Sequence, residues 1–261
     1  MSDILDAAWS ALEEGQPEEA LELLERADDV PQRWAAATLA YLGLEDFERA
    51  ESALNRANAT PAGRDDADVL IASGELHLAR WRTDEAHAAF DKLCEREPSV
   101  EGLERLSLCC DLRGDVEGAD RALQQAHELD PESRPLPPRL SPEEFENVTA
   151  AAVEELPEAF REALNRVAIV IDPVPGAGAV VGDGRETPPD LLGLFVGPSL
   201  LETSVEASAE LPPTVYLFQR NLERISADRD VLLQEIQVTL YHELGHALGF
   251  DEEGVDEMGL G

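Results

Sequence analysis

The chain predicts two fold classes in series: an α-helical repeat solenoid, then a small α/β domain. Three features carry this expectation. Small and apolar residues recur at helical spacing, inside a period near 34, through the first half. A proline-rich boundary follows. Beyond it, short β-branched runs alternate with helical patterns and end on a long helix that carries two histidines.

The segments "GQPEEALELLERADDVP", "EDFERAESALNRANATP", "RTDEAHAAFDKLCEREP" and "GDVEGADRALQQAHELDP" are variants of one unit. Alanine stands at Ala20, Ala50, Ala86 and Ala119, spaced 30, 36 and 33 residues apart. A large residue follows four later, at Leu24, Leu54, Phe90 and Leu123. Ala27, Ala57, Leu93 and Ala126 come three after that. Pro31, Pro61, Pro98 and Pro131 close each unit. Paired helices explain the pattern: the alanine lets two helices approach, the large residue fills the gap, and the proline stops the second helix. One pair cannot bury its apolar face, whereas stacked pairs can. The unit resembles the tetratricopeptide repeat, about four copies over residues 1–131. The third copy departs by placing Trp81 where the turn glycine is usual. The resemblance implies a right-handed superhelix whose groove binds a protein or peptide partner.

Pro135, Pro137 and Pro138, with Pro142 just after them, make residues 132–141 a semi-rigid linker that cannot be helical. Ser141 with Glu144 forms a capping box for a helix through about Leu156, and "EAFREALNRV" continues helically after Pro157. "VAIVIDP" (167–173) reads as a buried strand, and "LLGLFVG" and "TVYLFQ" as two more. The glycines of "DPVPGAGAVVGDGRETPPD" do not make a phosphate loop, because prolines rather than a helix follow them. A last helix starts near Asp228 or Asp230 and runs to Leu248, with Ile236, Leu240, Leu244 and Leu248 as its core stripe. Gly249 stands where a glycine cap belongs.

That helix ends in "YHELGHALGFDEE". His242 and His246, four apart, leave one face of a helix, and two such nitrogens can meet one Zn²⁺. Glu243 falls beside the metal, where a general base for an activated water belongs. Gly249 can reverse the chain towards a third ligand. Glu252 takes that position in the H-E-x-x-H-x-x-G-x-x-ligand spacing, with Asp251 as the alternative in a run of three acids. Two neutral imidazoles and one carboxylate leave the site at net +1, which suits lowering the pKa of a water.

"LPEAFREALNRVAIVIDPVP", "DLLGLFVGPSL", "LPPTVYLFQRNLER" and "HELGHALGFDEEGVDEMG" resemble successive blocks of the bacterial minimal-zincin, metallopeptidase-like family, over residues 142–261. The resemblance implies a small sheet beside a zinc helix, with His242 and His246 as ligands and Glu243 as base. It puts the third ligand, usually aspartate in that family, on Glu252. The expected function is zinc-dependent peptide hydrolysis, with the repeats recruiting the partner. The alternative is a repeat interaction scaffold whose zinc site is structural or vestigial. Few residues follow Glu252, so substrate contacts are expected from 142–241 or the repeat groove.

Composition sets outer bounds. The net charge is −36, from 56 acids and 20 bases, which repels nucleic acid and anionic membrane and favours basic partners. Cys94, Cys109 and Cys110 make no metal or disulfide pattern; the start lacks the basic and apolar regions of a signal peptide, so none is expected, and no apolar run approaches the length of a membrane span. A reducing cytoplasm is the expected compartment. His77, His87 and His127 fall in the repeats and are read as surface or groove residues.

Overall fold

The structure, a computed structural model, describes residues 2–156, 158, 161, 164–176, 187–200 and 212–250. The chain divides into two units, Met1–Asp130 and Pro131–Gly261. None of the described helices is long and apolar enough to cross a membrane.

The first unit is built of helices packed in sequence-adjacent pairs. These are α1 (Ser2–Glu13) with α2 (Pro17–Leu24), α3 (Pro31–Gly43) with α4 (Phe47–Ala57), α6 (Ala67–Ala79) with α7 (Thr83–Arg96), and α8 (Val100–Leu112) with α9 (Val116–Leu129). A single turn, α5 (Pro61–Arg64), precedes the third pair. Ala20, Ala50, Ala86 and Ala119 are fully buried, and Leu24, Leu54, Phe90 and Leu123 are buried one turn later. The alanines therefore sit where the sequence spacing puts the close approach. On α6, Gly74 serves the same purpose: a Cβ there would lie 2.3 Å from the Phe90 ring of α7.

Every pair turns by the same device. Five residues before each alanine stand Gly15, Glu45, Trp81 and Gly114, with φ of 71°, 55°, 54° and 76°. The next N–H donates back five residues, Gln16 to Ala11, Asp46 to Tyr41, Arg82 to His77 and Asp115 to Cys110. This satisfies the last carbonyls of the first helix and reverses the chain. Trp81 and Glu45 adopt the left-handed conformation that glycine takes in the other two turns. The prolines act differently from the sequence expectation in two repeats. The second helix of the first pair already ends at Leu24, and Pro31 and Pro61 occupy the first turns of α3 and α5, where no N–H is needed. Cys109 and Cys110 are buried; burial pushes the thiols of Cys94 and Cys110 up to about 11, so they behave as packing groups.

In the second unit the proline-rich stretch is held down rather than spanning solvent. Arg134 Nη2 donates to the Arg224 carbonyl at 2.7 Å, and the Leu140 N–H donates to Glu223 at 3.1 Å. Arg139 pairs with Glu223 at 2.8 Å, and Gln219 donates to the Leu140 carbonyl at 2.9 Å. Helix α10 (Pro142–Glu155) begins with the Ser141/Glu144 capping box. Strands β1 (Ala168–Asp172), β2 (Gly193–Val196) and β3 (Thr214–Phe218) form one sheet in the order β1-β3-β2. β1 runs parallel to β3 and β2 antiparallel to it. β1 is thus an edge strand and mostly half-buried, not the buried strand its β-branched run suggests; β3, paired on both sides, is the central one.

Two helices follow, α11 (Gln219–Ile225) and α12 (Arg229–Leu248). Leu232, Ile236, Leu240 and Leu244 of α12 close the core with Val215 and Leu217 of β3 and Phe145 and Ala152 of α10. Asn221 on α11 donates to the carbonyls of Pro189 and Leu191, which fixes the approach to β2.

Candidate metal centre

α12 positions the site, and its own caps hold it in place. At its start the Asp228 carboxylate accepts from the N–H groups of Asp230 and Val231, at 2.9 and 3.0 Å. At its end Gly249 takes φ 95°, the left-handed conformation expected of it. The Gly249 and Phe250 N–H groups then donate to the carbonyls of His246 and Gly245, and the Leu200 N–H donates to the Ala247 carbonyl. The last turn is thereby satisfied without distorting the helix that carries the histidines.

His242, Glu243 and His246 are all half-buried on the last two turns. The two Nε2 atoms stand 3.0 Å apart, with the rings at 83°. Two ligands of one tetrahedral zinc, each about 2.0–2.1 Å from it, lie roughly 3.3 Å apart. The imidazole pair therefore fits a shared ion. His246 Nδ1 lies 3.1 Å from the Phe250 carbonyl oxygen. A carbonyl only accepts, so the neutral ring donates from Nδ1 and keeps its lone pair on Nε2. The glycine cap thus has a second consequence: it returns the Phe250 carbonyl to the ring and selects the tautomer a metal needs.

Glu243 points elsewhere. At about 100° per residue it falls between the buried stripe of α12 and the histidine pair. There it lies over the start of β2. A Cβ on Gly193 would stand 2.9 Å from Glu243 Cγ, 3.2 Å from Glu243 Oε1 and 2.7 Å from Thr239 Cγ2.

The third expected ligand, Glu252, and its alternative Asp251 lie outside the described residues. Among the described residues no group of three His, Cys, Asp or Glu is placed to hold a metal. Tyr241 is turned away from the histidines: its hydroxyl donates to the Ala152 carbonyl on α10 at 2.8 Å. Arg224 is buried and donates to Asn221 at 2.6 Å, a structural role. Sequence reasoning did not single out Gly193 or the Phe250 carbonyl. Gly193 carried a signal, a glycine inside an apolar strand pattern. A backbone carbonyl carries none.

No curated protein matches the chain. Residues 164–261, which contain the three strands and the histidine helix, match the family model described as Zincin-like metallopeptidase.

Proposed function

We propose that the second unit is a zinc-dependent peptidase in which His242, His246 and Glu252 hold one zinc ion and Glu243 is the general base. The observation that carries this reading is the approach of the two Nε2 atoms to 3.0 Å, with Glu243 on the adjoining helix face. The match of residues 164–261 to the zincin-like metallopeptidase model supports the choice of reaction and metal. When bound, zinc supplies Lewis acidity that polarises a carbonyl and eases deprotonation of a water. The Glu243 carboxylate accepts the water's proton and returns it to the departing amine. Among the described residues β2 pairs only with β3, and it starts beside Glu243, so an extended peptide added as a further strand to β2 would run along the site.

The first unit, over residues 1–131, is read as a tetratricopeptide-like solenoid that recruits a protein or peptide and raises its concentration near residues 142–261. Four helix pairs with one repeated turn support this reading. The net charge of −36 favours basic segments. Three buried or half-buried free thiols agree with a reducing cytoplasm.

Metal analysis of the purified full-length chain tests the reading. One zinc per chain is expected, lost in His242→Ala and kept in Glu243→Gln. Cleavage of basic peptides is expected to fall at least about 100-fold in Glu243→Gln. A zinc-free native protein overturns the metal assignment and leaves the interaction scaffold with a vestigial site, whereas cleavage that survives Glu243→Gln overturns Glu243 as the base.

A further inference from the structure

We propose that the absent side chain at Gly193 determines where the Glu243 carboxylate stands, making Gly193 a positioning residue for the hydrolytic site. This rests on Glu243 acting as the general base. The close approach involves two residues of α12. An added Cβ would meet Thr239 Cγ2 at 2.7 Å and Glu243 Cγ at 2.9 Å, both closer than real Cβ contacts. Neither neighbour can yield by a small adjustment. Cγ is the second carbon of the Glu243 side chain, so moving it requires a change of χ1. A helix leaves essentially two χ1 wells, and exchanging them carries the carboxylate several ångströms.

The strand cannot retreat either. Gly193 pairs with Leu217 in the ladder, and the adjacent Leu192 carbonyl accepts from the Phe218 N–H at 2.9 Å. On the other side, the helix is anchored by Leu240 and Leu244, buried in the core on either side of Glu243. A side chain at 193 would therefore be accommodated by the carboxylate, while the His242 and His246 rings, on a different helix face, keep their place. Gly193 would then separate base position from metal binding.

The test uses the zinc-loaded full-length protein and acetohydroxamic acid, a small chelator that binds as the hydroxamate by passing its hydroxyl proton to a nearby carboxylate. Four proteins are compared: wild type, Glu243→Gln, Gly193→Ala, and Gly193→Ala with Thr239→Ser. Zinc content, thermal midpoint and acetohydroxamate Kd are measured for each. Glu243→Gln and Gly193→Ala are each expected to keep zinc and to weaken acetohydroxamate by about tenfold, the worth of one hydrogen bond to a charged group. Adding Thr239→Ser removes the methyl clash, so it should recover the thermal midpoint of Gly193→Ala without recovering affinity. If Gly193→Ala binds the probe like wild type while Glu243→Gln does not, the inference is wrong and the base assignment stands. Recovery of both midpoint and affinity by Thr239→Ser reduces Gly193 to helix packing. Unchanged affinity in Glu243→Gln removes the base assignment and the inference with it.

Discussion

Four residues at equivalent places in the repeats share a left-handed backbone, yet only two are glycine. Gly15 and Gly114 adopt φ of 71° and 76° with nothing within 4 Å of where a Cβ would be. Glu45 and Trp81 reach φ of 55° and 54° with a side chain attached. For an L-residue this conformation costs roughly 1–2 kcal/mol, and glycine avoids it. Glu45→Gly is therefore expected to stabilise the first unit by about 1 kcal/mol, and Gly114→Ala to destabilise it by a similar amount. Urea unfolding midpoints check both. Equal and opposite shifts would assign the effect to the backbone, because losing a side-chain contact destabilises and could not produce the gain at Glu45. Trp81 was legible as the odd residue at a glycine position, because the alanine five residues later fixes the register. Glu45 was missed, since nothing about a glutamate announces a positive φ. Gly193 was hidden for a different reason: its role depends on Thr239 and Glu243, about fifty residues away, and no local pattern encodes that contact.

Helix α12 joins the stability of the second unit to its site. Its core stripe was readable from period alone: Ile236, Leu240 and Leu244 recur every four residues and are buried, and Leu248, next in the series, is half-buried against the same core. Its ends were readable from Asp228 and Gly249, residue types with a known capping chemistry. The sheet was less legible. Periodicity located three strands, but pairing order is decided by contacts across the unit, so the β-branched β1 proved to be an edge and the Tyr216-bearing β3 the centre. The N-terminal cap allows a direct test of how the helix is held. Asp228→Ala leaves the N–H groups of Asp230 and Val231 without their acceptor and removes a negative charge from the positive end of the helix. A loss of about 1 kcal/mol is expected, with Asp228→Asn or Asp228→Ser retaining most of the stability. Chemical denaturation followed by circular dichroism measures it. Because the histidines stand four turns further on, zinc content of the folded fraction should not change; if it falls with stability, the last turns depend on the cap more directly than their own hydrogen bonds indicate.

Across the whole molecule, excess negative charge is the feature both units share. The chain carries 56 acids and 20 bases, and the excess is spread over both units: 31 acids against 12 bases in residues 1–130, and 25 against 8 in residues 131–261. Proline-rich residues 131–142 lie at the start of the second unit, so the composition shift and the division of the chain coincide. The described ion pairs are mostly at the surface, such as Arg82–Glu51 and Lys92–Asp65, and exposed pairs of this kind contribute little. Net repulsion is therefore expected to outweigh local attraction in both units. Raising KCl from about 0.1 M to 1 M shortens the screening length from about 10 Å to 3 Å, which relieves like-charge repulsion between neighbouring acids. The urea midpoint is expected to rise with KCl at neutral pH. The rise must shrink as the pH approaches the isoelectric point near 4.2, because the net charge being screened disappears there. Salt exclusion from apolar surface would also raise the midpoint, but it would do so equally at both pH values. Titrations in KCl at neutral pH and near pH 4.2 therefore separate the two causes. A midpoint that falls with salt at neutral pH would mean that the ion pairs, taken together, stabilise the fold more than the excess acids oppose it.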